Sequence, residues 1–479
     1  MTRLPSVALS LLLSVPCAAQ AADWPQFRGP RFGQAVVDGP LPTEIAPDKL
    51  VVWKTELPPG HSSPAIVGDR IFLTAVREKE HLETLALDRA SGKILWRVEA
   101  PHKTLEKIHG IGSYAQPSPA ADAERVVVLF GSSGLYCYDH AGHELWKQPM
   151  GPFNDEFGAA ASPILEGERV ILCQDHDTES FLAAYDKRTG KELWRTDRSE
   201  FSRGYSTPVV WKVAGKKQIV VAGTLRVVGY DYDSGQELWT VRGLSRVNCI
   251  SATIGDDNLL YAAGWSAGGE PGDRVRLEKF ADFLSVNDEN KNGTLEEKEV
   301  ANSAALKTRF VQCDRNKDGK ITQPEYDEFQ NLFDKSQNLV IAIRPGGQGD
   351  CTQTHVAWKF EKFIPFCASP LYYQNRVFAI KDSGILSCLD AASGTAFKTG
   401  RVTGTANYYA SPVGGDGKVY LLGQRGTLSV VSAANQWQVL HSAEFGEEVY
   451  ATPALLDGRI YLRTSGHLYC FGPMGVNGK

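Results

Sequence analysis

Two twelve-residue segments in the second half of the chain place oxygen-bearing residues at alternate positions. In DRNKDGKITQPE, positions one, three, five, seven and twelve are Asp314, Asn316, Asp318, Lys320 and Glu325. In DENKNGTLEEKE, the same positions hold Asp288, Asn290, Asn292, Thr294 and Glu299. A hard cation such as Ca²⁺ takes six to eight oxygen ligands, and alternate residues of a tight loop can turn toward one centre. The spacing therefore predicts two calcium sites.

The residues around these positions have the other features that such loops require. Gly293 and Gly319 occupy position six, where the chain must turn sharply, and apolar Leu295 and Ile321 occupy position eight. Apolar residues at helical spacing flank the loops, namely Phe280, Leu284, Leu306, Phe310, Tyr326, Phe329, Leu332 and Phe333. The pattern resembles the EF-hand, which implies a helical pair with a bidentate glutamate closing each site. The alternative is a pair that keeps its fold without binding calcium, and it weighs more on the first loop, where Asn292 replaces a possible aspartate.

Other motifs that could do chemistry lack the context they need. GWSAG, residues 264–268, matches GxSxG, but Ser266 follows a predicted strand and leads into a Gly- and Pro-rich turn instead of a helix. Asp175-His176-Asp177 is interpreted as a solvated triplet at a hairpin tip. The ten histidines show no HExxH spacing. The sequence therefore identifies no catalytic residue and no residue that binds an organic cofactor.

The rest of the chain is built from a repeated unit, into which the segment with the two loops is inserted. GKILW, GHELW, GKELW and GQELW end at Trp96, Trp146, Trp194 and Trp239, at steps of about 45 to 50 residues. A second marker, a small residue followed by proline, falls at Pro64, Pro119, Pro163, Pro208, Pro370, Pro412 and Pro453. Such a period, with several β-rich runs and Gly or Asp turns in each unit, is typical of propeller blades.

We therefore predict an all-β, eight-bladed β-propeller of four-stranded blades. In the first unit the strands are predicted near Ala65–Val67, Arg70–Ala75, Leu82–Leu87 and Ile94–Val98. The last unit ends after Cys470 without a fourth strand, and residues 51–57, VVWKTEL, are expected to supply it. Pairing of the two ends would close the ring and remove exposed sheet edges.

The calcium-loop segment interrupts the fifth blade. The fifth unit exceeds the repeat period by roughly 70 residues. This excess predicts a small α-helical EF-hand pair at 265–337, between the second and third strands of the blade. The other expected boundaries are an N-terminal arm at 22–49, two propeller parts at 50–264 and 338–473, and a C-terminal tail at 474–479.

The first 21 residues, with an early Arg3, an apolar run and Ala19-Gln20-Ala21, are predicted to be a signal peptide, with lipidation at Cys17 as the alternative. We expect export to the periplasm or the extracellular space and no transmembrane segment. The formal charge of −5, without a basic run, gives no reason to expect nucleic acid. Eight cysteines remain after Cys17, so disulfides are permitted, but their pairing is left open. Cys137, Cys388 and Cys470 share one repeat position and are interpreted as core residues.

The GxxLW phrases and the small-residue–proline starts resemble the PQQ-like propeller repeat family, which includes quinoprotein dehydrogenases and BamB-type propellers. DWPQFRGPRFG, at the start of the arm, is similar to the opening of many secreted bacterial members and is interpreted as an aromatic segment packed on the propeller. The resemblance implies a binding or scaffolding role, with a PQQ-dependent alcohol or sugar dehydrogenase as the alternative. In that enzyme family two adjacent cysteines form a ring beside the quinone. This chain has no adjacent cysteines, so PQQ is not expected, whereas two calcium ions are.

A protein partner, bound by a monomer, is expected on the face formed by the loops between the fourth strand of one blade and the first strand of the next. We call this the loop face. These loops contain aromatic and polar residues that we predict to be exposed, namely His61, Tyr114, Phe157, Tyr205, Asn248, Phe366, Tyr408, Tyr409 and Tyr450. Closure of the channel mouth by several of them is an equal alternative. The EF-hand insertion is expected to open on the same face.

Overall fold

The structure is a computed structural model that describes residues 22–35, 39–177, 179–270, 276–303, 306–307 and 309–473. The predicted signal peptide and the predicted C-terminal tail lie outside these ranges. Short apolar runs separated by Gly- and Asp-containing turns form eight antiparallel sheets, which follow one another around a ring. The prediction of an all-β, eight-bladed propeller is confirmed.

In each of the first four blades, the strands follow one another in sequence from the inner to the outer edge. Blade one comprises Ala65–Val67, Arg70–Arg77, His81–Asp88 and Ile94–Ala100; blade two comprises Ala120–Ala121, Arg125–Leu129, Leu135–Asp139 and Glu144–Gln148, with a 3₁₀ turn at Gly131–Ser133. Blade three comprises Ile164–Glu166, Arg169–Gln174, Phe181–Asp186 and Glu192–Asp197; blade four comprises Val209–Val213, Lys216–Gly223, Arg226–Asp231 and Glu237–Arg242.

The remaining blades follow the same order. Blade five comprises Thr253–Ile254, Leu260–Gly264, Leu339–Ile343 and Val356–Phe360; blade six comprises Leu371–Tyr373, Arg376–Lys381, Ile385–Asp390 and Ala396–Arg401. Blade seven comprises Val413–Gly415, Lys418–Leu422, Thr427–Ser432 and Val439–Glu444; blade eight comprises Ala454–Leu456, Arg459–Arg463, His467–Phe471 and, from the other end of the chain, Val51–Glu56. Val51–Glu56 pairs antiparallel with His467–Phe471, so the predicted closure by both ends is confirmed.

A ring of hydroxyl groups lines the centre of the propeller, one from each blade. The backbone N–H of each residue donates to the hydroxyl oxygen of its equivalent in the next blade, at 2.9–3.1 Å, and the bond from Thr452 to Ser63 completes the circle. The eight residues are Ser63, Ser118, Ser162, Thr207, Ser251, Ser369, Ser411 and Thr452. Seven of them are the residues before the marker prolines, and Ser251, before Ala252, is the eighth. The sequence marker therefore has a structural role in joining neighbouring blades.

The tryptophans of the GxxLW phrases join the blades at the outer edge. The indole Nε1 of Trp146 donates to the carbonyl oxygen of Lys187 in the next blade at 2.9 Å, and its ring lies against Gly190 of that blade's own GxxLW turn. The same arrangement joins Trp53 to the turn at Gly92 and Trp96 to the turn at Gly142. These tryptophans are therefore structural, as their position in the outer strand predicts.

The N-terminal arm crosses the inner strands of several blades. Trp24 is fully buried and forms a β-bridge with Ile66 of blade one. The buried Arg28 donates to Thr253 Oγ1 at 3.0 Å and to the Pro370 carbonyl oxygen at 2.6 Å, which ties the arm to blades five and six. Burial lowers the pKa of Arg28 to about 9. The aromatic arm packs on the propeller, as its residue types predict.

One strand was not expected from the repeat. Gly349–Asp350, in the connection between the third and fourth strands of blade five, pairs in parallel with Trp239 and Thr240 and adds a fifth strand to blade four. Blade four therefore departs from the four-stranded prediction. The turn that would meet Trp239 in the repeat is replaced by this strand, and Trp239 instead donates to Gln218 Oε1 at 2.8 Å.

The insertion lies between the second and third strands of blade five, where the sequence predicts it. It contains helices α1 (Phe280–Asn287), α2 (Phe310–Cys313) and α3 (Gln323–Lys335), and a two-stranded ladder between Leu295–Glu296 and Lys320–Ile321. Among the helices of the described ranges, none combines the length and the apolar character that crossing a membrane requires.

Candidate functional site

The insertion has a small apolar core of its own. Its buried members are Phe280, Leu295, Val300, Leu306, Phe310, Cys313, Ile321, Tyr326, Phe329 and Phe333. Leu295 and Ile321, at position eight of the two loops, face each other in the ladder. Because Leu295 and Ile321 hold the same position in their loops, this pairing places the two loops side by side. Outside α2, which has only four residues, the described residues between the loops are mostly turns.

The second loop wraps its backbone around the side chain of Asp314. The two carboxylate oxygens of Asp314 accept hydrogen bonds from the backbone N–H groups of Asp318 and Gly319, at 3.2 and 3.0 Å. Asn316 Oδ1 accepts from the N–H of Asp318 at 2.9 Å, and Asp318 Oδ1 accepts from the N–H of Lys320 at 2.9 Å. Gly319 has φ +82°, a conformation that favours glycine. The side chains at positions one, three and five thus turn inward together.

Glu325 closes the second loop from the first turn of α3. Its Oε2 accepts from the N–H and the hydroxyl of Thr322, at 2.9 and 2.7 Å. Its Oε1 accepts from the N–H of Asn316 across the loop at 3.4 Å. The glutamate at position twelve therefore bridges the start of α3 and the middle of the loop. Thr322 and Glu325 also form a capping box at the N-terminus of this helix.

The first loop repeats this geometry. Asp288 accepts from the N–H groups of Asn292 and Gly293, at 3.1 and 2.9 Å. Asn290 Oδ1 accepts from the N–H of Asn292 at 3.0 Å, and Asn292 Oδ1 accepts from the N–H and the hydroxyl of Thr294, at 2.9 and 2.7 Å. Glu299 is buried; its Oε1 accepts from the N–H of Glu289 at 3.0 Å and its Oε2 from the N–H of Glu296 at 2.8 Å.

The first loop also contains a carboxylate that the sequence analysis missed. Glu296 Oε1 accepts hydrogen bonds from the side-chain amides of Asn290 and Asn292, at 3.2 and 3.1 Å. Glu296 stands at position nine, which in calcium loops often acts through a water molecule, and this spacing could have identified it. It compensates in part for the weaker donor at Asn292.

The donor set of the loops mixes carboxylates with amides and main-chain oxygens. Within the part of the chain that the structure describes, no three His, Cys, Asp or Glu side chains come close enough together to hold a metal on their own. The carboxylates accept backbone N–H groups instead. The oxygen-only composition suits Ca²⁺, which accepts carboxylate, amide and carbonyl oxygens in variable geometry. The chemistry of the donors therefore fits this ion.

The insertion rests on the loop face. Arg315, the second residue of the second loop, donates to the carbonyl oxygen of Ser199, between blades three and four, at 2.7 Å. The guanidinium of Arg246, between blades four and five, lies 4.6 Å from the centre of the Phe333 ring of α3. The N–H of Arg246 donates to Ser336 Oγ at 3.1 Å. The start of the second loop and the C-terminal end of helix α3 thus connect to the propeller.

A cavity of about 190 Å³ opens at the centre of the loop face. Six of the nine face residues from the sequence analysis line it, namely His61, Phe157, Tyr205, Phe366, Tyr409 and Tyr450. The hydroxyl ring forms its inner wall, and Phe27 of the N-terminal arm contributes to its lining. Three members of the predicted set, Tyr205, Asn248 and Tyr408, are buried, which corrects the expectation that all nine are exposed. The hydroxyl of the buried Tyr205 donates to the buried Asp155 at 2.9 Å, which offsets the cost of burying these polar groups.

The lining of this cavity carries no formal charge among the described residues. His61 stacks on Tyr450 with ring centres 3.8 Å apart, and burial, followed by the nearby Arg463, lowers the pKa of His61 to about 3. The imidazole is therefore neutral at pH 7. PQQ carries carboxylate groups, and it would meet no cationic side chain in this lining. The residues present do not fit that cofactor.

Two interpretations of local motifs are also resolved. Ser266 is buried, its Oγ lies 3.1 Å from Ser336 Oγ, and the segment leads into turns instead of a helix.

Asp175 and His176 are buried, which corrects their interpretation as a solvated triplet. Asp175 forms a bidentate ion pair with the buried Arg198, both contacts being 2.7 Å. This pairing makes burial of the two charges possible.

The geometry defines the class of the protein, a closed eight-bladed β-propeller with an arm across its inner strands. Residues 82–248 match the family model described as outer membrane protein assembly factor BamB. Outer membrane protein assembly factor BamB from Burkholderia pseudomallei is 27% identical over 126 residues, which are 26% of this chain and 30% of that relative. The match thus spans less than a third of the relative's length.

Solved structures extend the likeness to the whole propeller. BamB from Moraxella catarrhalis has a TM-score of 0.56 at 13% identity, over 89% of this chain and 99% of that one. The computationally designed protein Ika8 has a TM-score of 0.54 at 10% identity, over 88% of this chain and 99% of that one. At such identities these structures share the fold alone. Together with the family match, they support the resemblance to BamB-type, PQQ-like propellers.

Proposed function

We propose that the protein is an exported, monomeric, calcium-binding β-propeller that binds a protein partner on its loop face, with the insertion as an EF-hand pair that docks there. The observation that carries the proposal is the contact of the second loop with the propeller. Arg315 lies between Asp314 and Asn316, two of the proposed calcium ligands, and it donates to Ser199 of the loop face. A change in the conformation of the second loop would therefore alter this contact with the loop face.

Calcium would act on this contact by ordering the loop. In the structure, the carboxylates of Asp314, Asp318 and Glu325 accept hydrogen bonds from backbone N–H groups and from Thr322. With Ca²⁺ bound, the same oxygens would be drawn to one centre and their mutual repulsion would be neutralised. The backbone that carries Arg315 would then be held in one position. Such a local change of charge can favour one state of a docking element.

The loop face has the composition of a recognition surface. Aromatic side chains are grouped at the cavity mouth and are surrounded by polar residues, a pattern that suits protein interfaces. The description of the relatives, outer membrane protein assembly factor, favours a binding role and an exported location. The dehydrogenase alternative has less support because the uncharged cavity does not suit a carboxylated quinone.

Isothermal titration calorimetry on the full chain, stripped of divalent ions, tests the calcium sites. We expect two Ca²⁺ per chain. Asp314→Ala with Glu325→Ala should abolish binding in the second loop and weaken the first, because the two loops share the ladder between Leu295 and Ile321. Asp282→Ala with Glu297→Ala removes the same charge from exposed positions and should leave both sites intact.

Two undiminished sites in the Asp314/Glu325 variant would show that the ligand assignment is wrong. Native mass spectrometry of the purified protein separates the two functions. The proposal predicts calcium adducts without a quinone. A quinone at stoichiometric occupancy would overturn it in favour of the dehydrogenase.

A further inference from the structure

Two cysteines lie side by side in the wall of the central cavity. Cys249 stands two residues before Ser251, and Cys367 stands two residues before Ser369. Ser251 and Ser369 are neighbours in the hydroxyl ring, joined by a hydrogen bond of 3.1 Å. The two cysteines therefore occupy equivalent positions on adjacent segments that run side by side, and both line the cavity.

These two thiols differ from the other described cysteines. Cys137, Cys173, Cys313, Cys351, Cys388 and Cys470 are buried, whereas Cys249 and Cys367 are partly exposed. The side chain of Cys249 is the largest cause, and burial the second, of a pKa of Cys367 well above the usual value for a thiol. The inner strands that follow the two cysteines, Thr253–Ile254 and Leu371–Tyr373, lie next to each other, and a disulfide requires Cα atoms within about 7 Å.

We propose that Cys249 and Cys367 form a reversible disulfide that joins blades five and six at the cavity, and that it forms by exchange with a small external disulfide such as glutathione disulfide. The site requires a co-reactant of that class because both cysteines are free thiols in the structure. Their exposure to the cavity gives the co-reactant access. The insertion lies between the two cysteines in sequence, so the disulfide would also tie together the two ends of the interrupted blade.

The exchange proceeds in two displacements. Cys367 is held in its protonated form, so the Cys249 thiolate attacks one sulfur of glutathione disulfide and forms a mixed disulfide, releasing one glutathione thiolate. The Cys367 sulfur, losing its proton to solvent, then attacks the Cys249 sulfur and releases the second glutathione. Two protein thiols become one disulfide, and one glutathione disulfide becomes two glutathione thiols.

The test is incubation of the folded full chain with glutathione disulfide, followed by alkylation of the remaining thiols, digestion and mass spectrometry. We expect a linked peptide pair containing Cys249 and Cys367, with the six buried cysteines of the described residues alkylated only after unfolding. The oxidised protein should also melt at a higher temperature than the reduced one, since the bond closes a long loop of the unfolded chain. Absence of the linked pair, or a pair involving another cysteine, would overturn the proposal.

Two serine variants test the order of the steps while keeping the side-chain size. Cys367→Ser should accumulate the glutathione mixed disulfide at Cys249, because the second displacement is lost. Cys249→Ser removes the largest cause of the raised pKa of Cys367 but leaves burial, the second cause, so this variant should accumulate less mixed disulfide at Cys367 than Cys367→Ser does at Cys249. Far-ultraviolet circular dichroism confirms that each variant is folded. Equal accumulation in both variants would contradict the assignment of Cys249 as the attacking thiol.

Discussion

At the scale of single residues, the loop face depends on buried groups whose charge state is set by their surroundings. His61 has lost most contact with water and lies close to the buried Arg463, which donates to the Ser62 carbonyl oxygen at 3.0 Å. Burial lowers the pKa of Arg463 to about 9. Protonation of His61 would place a second positive charge in this region, and the stacking of His61 on Tyr450 holds the neutral ring there.

His61 should therefore make the protein sensitive to acid. Its pKa is about 3 in the folded state and 6.5 ordinarily, so the unfolded chain binds the proton more readily between these values. Its contribution to the free energy of unfolding is fully present above pH 6.5 and falls as the pH drops toward 3, by up to about 1.4 kcal/mol per pH unit. Urea denaturation at pH 7 and at about pH 4.5 measures this loss.

The variant His61→Gln removes the titrating ring and should reduce the loss between the two pH values. His143→Gln changes an exposed histidine and should leave that loss as in the parent protein. If His61→Gln and the parent lose equal stability on acidification, the neutral state of His61 is not a source of acid sensitivity.

At the scale of elements, several outer strands are held to the next blade by a tryptophan that lies on a glycine. At Gly190 a Cβ atom would lie 2.5 Å from the Trp146 ring, and the residue has φ +70°. Two features require glycine at this position, namely the positive φ and the close approach of the Trp146 ring. The tryptophan of one GxxLW phrase thus contacts the glycine of the GxxLW phrase in the next repeat.

Gly190→Ala should destabilise the protein more than Gly215→Ala. Gly215 has φ +81° but nothing within 4 Å of its Cβ position, so its variant has only the conformational cost of about 1–2 kcal/mol. Gly190→Ala adds a clash with Trp146 that costs about 1–3 kcal/mol more. Urea denaturation of both variants gives the comparison. Equal losses would show that the tryptophan contact contributes little.

Sequence reasoning succeeded where a local pattern determines the structure. The strands of the first unit, the closing strand at Val51–Glu56 and the place of the insertion follow from alternation, turns and period. It failed where the partner lies far away in sequence. Gly349–Asp350 forms a strand by pairing with the outer strand of blade four, which is distant in sequence. The burial of Asp175 depends on its ion pair with Arg198, which lies 23 residues further along the chain. Glu296 was missed because position nine of the loop was not considered.

At the scale of the whole molecule, a complete inner ring of hydroxyl groups closes the propeller, and an incomplete outer ring of tryptophans joins several of its blades. Closure by Val51–Glu56 joins the two ends of the propeller in one blade. The insertion belongs to neither ring. It has its own core, but Arg315, Arg246 and Ser336 connect it to the loop face. Under the proposed function, calcium would act on the face while the propeller remains folded.

Hydrogen exchange measured by mass spectrometry, on the full chain with calcium and with chelator, tests whether calcium acts on the loop face. We expect calcium to slow exchange in both loops, 288–299 and 314–325, and also in the face segments 199–205 and 246–249 that contact or adjoin the insertion. Exchange in the outer strand Glu192–Asp197 should not change. The Asp314/Glu325 alanine variant should lose the effect at the face. Protection confined to the two loops, or no protection at all, would show that calcium does not act on the loop face.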